Sequence, residues 1–572
     1  MEQKNLILAV VLSAIVLFGS QWLVNRYFPP PQPVATTSTT TVGTSSPGAA
    51  APPAAPAAPT FKPRLDVLQE SPRVKIRSDS LEGSISLVGG RLDDLTLAKY
   101  HETVEPNSPL VTLFNPPGTE NAYYADFGWL ADGGSALKLP DPSTRWTADG
   151  GALSPGHPIT LTWDNGQGLT FTRKFDVDQN YMFTVTDGVK NNGTAAAKLY
   201  SYGRVVRVGT PKVLGYTVLH EGLLGVFGGS LKETTYSSIA GKGELTFDST
   251  GGWLGFTDKY WLAALIPAQS SPITARFAHQ KVDGTDLYQT DFHVTDGQEL
   301  APGASVSYET RTFAGAKVVR LLNRYRDELG IPLFERAVDF GYLWFLTEPL
   351  FFLLDYIYQL IGNFGVAILV LTVLVRLAMY PLANKSFRAM NRMKSLTPLM
   401  TELRERFKDD KAKLNQEMME LYKREKVNPA AGCLPVLVQI PVFFCLYKTL
   451  LVTIEMRHAP FFGWIKDLSA PDPTSWINLF GLAPWAVPQF PLVATISLGV
   501  WPILMGVTMY LQQKLNPAPP DPVQAKIFML LPIIFTFTLA HFPAGLVIYW
   551  AWNNLLSITQ QRYLMWRMNK KP

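Results

Sequence analysis

Cysteine is nearly absent from this chain of 572 residues; the two present, Cys433 and Cys445, both lie in one apolar run. The stretch before residue 330 has none, so whatever folds there does so without disulfides. Seven histidines are scattered with no cysteine or paired-carboxylate partner at ligand spacing, which argues against a metal centre. An excess of one charge is also lacking. A net +5 over this length is too small for a nucleic-acid-binding surface. There is no GxxxxGK[ST] phosphate loop, and the glycines of 225–229 (GVFGG) lack the lysine and hydroxyl that should follow. A GxSxG elbow is missing too. These absences argue against nucleotide hydrolysis and serine-hydrolase chemistry. No enzyme activity and no cofactor is expected.

What is present is unevenly distributed. An apolar run from Leu6 to Val24 is long enough to span a bilayer, and the small-residue pattern of a cleavage site is weak after it. Residues 1–25 are therefore expected to be an uncleaved anchor. Residues 26–60 are expected to be a disordered tether, since 29–60 are rich in Pro, Ala, Thr and Ser and lack large apolar side chains. From 61 to 330 short alternating runs such as 81–88, 159–163 and 181–186 are separated by Gly, Asn and Asp. That pattern predicts antiparallel strands in a sandwich, closed by a helix over 318–329 that stops at Gly330 and Pro332.

Beyond that point the chain turns apolar, with spans expected at 363–381, 433–452, 492–511, 527–541 and 545–561. With the anchor these make six transmembrane helices, five of them in a core over 362–572. Residues 342–361 are also apolar, but Glu348, Pro349 and Asp355 are costly or awkward in hydrocarbon. A span there would also export segment 384–428, which carries twelve Lys and Arg, and such loops stay cytoplasmic. Residues 331–361 are expected instead to be an amphipathic helix at the outer interface. The resulting topology puts both termini in the cytoplasm and the β domain in the periplasm. Within 384–428, Leu399, Leu403 and Phe407, then Leu414, Met418 and Leu421, recur at helical spacing and predict a helical hairpin.

Arg376 is the most informative residue. It lies in the first span of the core, ~7 Å inside its cytoplasmic end at the helical rise per residue. No Asp or Glu falls within any of the six spans. Its charge can snorkel to the inner headgroups, or it can face a hydrated cavity. Thr372 lies one turn earlier on the same face; Tyr549, Asn553 and Ser557 form a stripe at four-residue spacing; Gln439 sits alone in its span. Polar faces on three helices favour a shared wet groove.

The stretches GNFGVAILVLTVLVRLAMYPL (362–382), QEMMELYKREKVNPAAGCLPVLVQIPVFFCLY (416–447), APFFGWIKDLSAPDP (459–473), FPAGLVIYWAWNNLLSITQQRYL (542–564) and GWLGFTDKYWLAALIP (252–267) resemble the YidC/Oxa/Alb family of membrane protein insertases, in its Gram-negative bacterial form. The resemblance covers essentially the whole chain in the right order. It implies an inner-membrane protein whose β domain has a supersandwich fold and matters less for insertion than the membrane core. It further implies that Arg376 is the groove arginine and that Thr372, Tyr549 and Trp550 line the route of a client helix. The partners it implies are nascent membrane proteins, the Sec translocon, membrane lipids, and ribosomes and the signal recognition particle pathway at the basic hairpin and tail. Two departures are visible: Tyr549-Trp550 stands where many relatives carry two tyrosines, and 470–491 is expanded. Two rival classes are disfavoured. A secondary transporter needs a repeat or broken-helix pair that is not seen, and a sugar-active β domain rests on fold analogy alone.

Overall fold

The computed structural model describes residues 61–569 except 106, 134, 214–218, 409, 426, 428–433, 484, 486, 488–492, 494–495 and 516–521. The expected anchor and tether lie outside the described residues, as does Cys433.

Two large sheets form the β domain, one of eleven strands and one of nine among the described residues. The alternation read from the sequence is what builds them. In Met182–Asn191 the side chains of Phe183, Val185, Asp187 and Val189 are buried while those between them are not, because successive residues point to opposite faces. This strand pairs antiparallel with Ser305–Ala316 in the nine-stranded sheet. In the other sheet Tyr123–Ala131 is buried along nearly its whole length: Tyr123, Ala125, Phe127 and Trp129 enter the main core, while Leu130 packs with Tyr200 and Tyr202. A helix, α1 (Val319–Leu329), follows the last strand and ends at Gly330 in the left-handed conformation, the residue that adopts it without a Cβ penalty. Strands and helix agree with the sequence expectation.

An ion pair deep inside the sandwich was not foreseen. Arg173, 1% exposed, bonds Asp187 from Nε at 2.6 Å. It also reaches the other sheet, donating to the carbonyls of Gly90 and Phe127.

After α1 the chain makes a short 3-10 turn, Phe334–Ala337, and then α2 (Trp344–Ile361). The helix expected over 331–361 thus begins only at Trp344. Its Phe351, Leu354 and Ile357 are buried. Asp355 is buried as well, held by Arg320 of α1 at 2.6 Å, which answers the cost that made it awkward in hydrocarbon.

Next come α3 (Phe364–Ser395), α4 (Thr397–Arg406), α5 (Lys411–Arg424), α6 (Leu434–Val452), α7 (Val500–Leu515), α8 (Pro522–Leu539) and α9 (Ala544–Asn569). The expected spans fall on α3, α6, α7, α8 and α9, with differences at their ends. Helix α3 runs unbroken through Pro381, and α7 begins at Val500 rather than near 492. Among the described residues one helix segment, Phe364–Ala389, is long and apolar enough to cross a membrane. Helices α7 and α8 approach closely at Gly506, where a Cβ would collide with the Thr536 hydroxyl, so only a glycine lets the two backbones come this near. Helices α4 and α5 pack through Leu396, Met400, Leu421 and Val427, with Leu403 and Met418 partly buried beside them. Leu399, expected in that stripe, is exposed. Met400 faces inward in its place.

The β domain is tied to the helices by polar contacts. Lys448 of α6 meets Asp339 at 2.9 Å. Arg457 donates to the carbonyls of His101 and Glu102. Glu455, just past α6, accepts the Val319 amide at the start of α1 at 2.9 Å, a site where a carboxylate suits the exposed N–H groups and dipole of a helix. The other carboxyl oxygen is buried without a partner among the described residues. Burial, with nearby Asp355 adding to it, pushes the Glu455 carboxyl up to about 7. The unfolded carboxyl titrates near 4.5, so between these values the folded protein holds the extra proton. Stability therefore falls as pH rises through that window, by at most about 3 kcal/mol. Thermal unfolding of the detergent-solubilised protein from about pH 5 to about pH 8 should show this loss, and Glu455→Gln should flatten the slope. An unchanged slope in the variant would assign the pH dependence to another group.

Candidate client groove

Helices α3, α6, α7, α8 and α9 surround a cavity of about 470 Å³. One wall carries Arg376 from α3 and Asn553, Asn554, Ser557, Gln560 and Gln561 from α9; Gln439 of α6 and Gln512 and Gln513 of α7 add to its polar lining. The rest is apolar, including Val375, Ile440, Phe443, Phe528, Phe535 and Trp550.

The four-residue spacing on α9 explains the polar wall, because residues so spaced share one helix face. Arg376 donates from Nε to the Asn553 side-chain oxygen at 2.9 Å and from Nη2 to the same oxygen at 2.7 Å. Nη2 also reaches the Asn553 carbonyl at 3.0 Å and the Ser557 hydroxyl. All these acceptors are neutral, and among the described residues no carboxylate pairs with Arg376. The guanidinium is thus fixed in position by α9 while its charge stays uncompensated. That is chemically useful: neutral hydrogen bonds orient the fork, and its electrostatic attraction remains available to an incoming anion.

Gln439 donates to the Tyr549 hydroxyl. Trp550 packs edge-on against Phe443, with ring centroids 4.7 Å apart. Its indole puts a flat apolar surface into the cavity where a second tyrosine would place a hydroxyl. Of the residues singled out in the sequence, Arg376, Gln439, Trp550, Asn553 and Ser557 line the cavity. Tyr549 is buried behind it, joined to it through Gln439. Thr372 is not brought to the lining. It is buried, and its hydroxyl donates to the Ile368 carbonyl of its own helix at 2.6 Å, a common use of threonine inside a helix.

Gln512, Gln513, Asn554, Gln560 and Gln561 also line the cavity and were missed. Gln512 and Gln513 sit just past the end assigned to their span, where polar residues read as loop, while Gln560 and Gln561 fall at the end of the span expected at 545–561. The signal was available, since Gln560 and Gln561 continue the α9 stripe by three and four residues from Ser557. Lys448 was missed too. It lies inside the expected span 433–452, but it is directed to Asp339 and away from this site.

Comparison with known proteins shows the family of the chain. Residues 73–353 match the family model of the YidC periplasmic domain, and residues 356–571 that of the 60Kd inner membrane protein. Membrane protein insertase YidC of Methylobacterium nodulans is 54% identical, the match covering 89% of this chain and 84% of that one. The protein of the same name from Granulibacter bethesdensis is 51% identical over 100% of this chain and 99% of its own. A solved structure described as an active YidC insertase with its first transmembrane domain resolved overlays 86% of this chain and 94% of its own, at 17% identity and a TM-score of 0.36. On the strength of the two curated relatives and the paired family models, the chain belongs to the YidC family of membrane protein insertases.

Proposed function

We propose that the chain moves hydrophobic segments of client proteins from the cytoplasm into the inner membrane, using the cavity around Arg376 as a transient polar station. The observation that carries this reading is the guanidinium of Arg376, held by Asn553 and Ser557 without a carboxylate. A short hydrophilic segment of a client can enter such a cavity without facing hydrocarbon, and an acidic residue on it is drawn to Arg376. At 4 Å that attraction is worth about 4 kcal/mol at an effective dielectric of about 20. The client's apolar helix then leaves past α6 and α9 into lipid, driven by burial of roughly twenty apolar residues. No nucleotide is needed for this.

The same reading places α3, α6, α7, α8 and α9 across the bilayer, with the anchor as the sixth span. It is supported by the apolar side chains these helices turn outward, among them Leu374, Leu377, Phe444, Val507, Ile533 and Leu555. Water would not favour such a belt; hydrocarbon does. The α4–α5 hairpin and both termini are cytoplasmic in this scheme, the β domain is periplasmic, and α2 lies at the outer interface. The basic hairpin and tail face the compartment in which ribosomes, targeting factors and the Sec translocon's cytoplasmic face are found, and polyanionic RNA suits them.

The test is insertion of a small two-span protein into liposomes containing only this protein. Protease-protected product above empty liposomes is the expected result. No product from folded protein would overturn autonomous insertion and make the chain an accessory to a partner.

A further inference from the structure

From 473 to 513 the sequence carries no Asp, Glu, Lys, Arg or His. The stretch contains the 3-10 helix Trp476–Gly481 and ends in helix α7. A stretch of that length standing in water ordinarily carries charge. Here Trp476, Leu479, Phe480, Leu482 and Trp485 are exposed, Leu482 to 89%. Their polar atoms are already satisfied. The Trp476 indole N–H donates to the Ile496 carbonyl at 2.7 Å and that of Trp485 to the Ile477 carbonyl at 3.1 Å. The rings therefore present apolar surface only.

Two successive bulky residues, Leu479 and Phe480, adopt positive φ of 52° and 60°, a region that non-glycine residues enter only at a cost. No internal packing repays that strain, since both side chains are exposed. The segment is also fixed in height. Asp472 accepts the Trp501 amide at 2.9 Å and the Thr474 hydroxyl accepts the Val500 amide at 3.0 Å, so the base of the segment caps the first turn of α7. Its apolar surface is continuous in sequence with the outward face of α7, where Leu504, Val507 and Leu511 are exposed. Charges stop at Asp472, as they do at a headgroup boundary, and Trp side chains cluster beyond it, as they do in interfacial belts.

We infer that the segment 473–483 is a lipid-binding wedge, seated in the outer interface of the bilayer with Leu479, Phe480 and Leu482 entering the acyl boundary. The occupant of this surface is lipid, because an uncharged face of leucine, phenylalanine and tryptophan side chains whose indole N–H groups are already bonded matches acyl chains. The wedge anchors the outer end of α7, and through it one wall of the groove, at a set depth. It rests on the reading that α7 crosses the bilayer.

The experiment uses the full-length protein with Cys433→Ala and Cys445→Ala, carrying single cysteines at Leu482, at Val507 on the outward face of α7, or at Val104 in the β domain. In proteoliposomes of phosphatidylethanolamine and phosphatidylglycerol, a membrane-impermeant thiol reagent should react at 482 slower than at 104 by about tenfold or more, as burial of one leucine-sized group implies. An environment-sensitive label at 482 should also be quenched by spin-labelled lipid. Protection at 507 with full reactivity at 482 would overturn the wedge and leave the span standing. Full reactivity at both would overturn the span as well. Protection at 482 that disappears at low protein-to-lipid ratio would assign the surface to a second copy of the chain and also overturn the inference.

Discussion

Arg376→Ala should slow insertion of a client bearing an acidic residue in its translocated segment by one to two orders of magnitude, because an attraction of about 4 kcal/mol is lost and only part of it is recovered from water. A client whose translocated segment is neutral should be affected much less, since it gains nothing from the charge. Arg376→Lys should fall between. The ammonium keeps the charge but cannot reproduce the planar fork that bonds Asn553 from two nitrogens. Asn553→Leu tests the positioning separately: the guanidinium keeps its charge and loses its main acceptor, so both clients should slow and the preference for acidity should weaken. The measurement is protease protection against time for the two clients. Equal slowing of both clients by Arg376→Ala would mean that the arginine serves packing or hydration of the cavity and does not attract acidic segments.

Asp187→Ala should be strongly damaging to the β domain. It leaves the Arg173 guanidinium buried between the sheets without its counter-ion. Removing one member of such a pair typically costs about 3–5 kcal/mol. The double change Arg173→Met with Asp187→Leu should cost far less, because neither charge then has to be desolvated. Denaturant unfolding of the full protein in detergent, followed by β-sheet signal, distinguishes the cases. A single variant no less stable than the double one would show that water reaches this pair. Insertion activity offers a second readout. If the domain matters less than the membrane core, the double variant should insert clients at the wild-type rate.

The β domain was legible because a sheet writes itself into sequence with period two. Runs such as 81–88 and 159–163 fall on the strands Leu81–Ser86 and Ile159–Asp164. The pairing of these strands was not legible, because hydrogen bonds between backbones carry no residue signature. The Arg173–Asp187 pair was hidden for the same reason. Alternation placed Asp187 on the inward face of its strand, yet nothing local says which cation crosses from the neighbouring strand to meet it. Helix ends were the other weak point. A hydropathy window stops where polar residues begin, so Gln512 and Gln513 were cut off from a helix that in fact carries them into the cavity.

Arg376 and the Tyr549–Asn553–Ser557 stripe could be found from sequence because a charge in an apolar run is rare and a helix face repeats every three to four residues. Composition and charge placement likewise sufficed for the β-rich and apolar halves, and for the absence of a nucleotide loop. Side-chain partners needed the folded chain. Thr372 shares the arginine's face, but it turns to its own backbone, while Gln439 from a distant segment reaches Tyr549. Periodicity is a property of one helix and is written along it. A cavity is made by five helices meeting, and which atoms face each other there depends on packing angles that no single segment encodes.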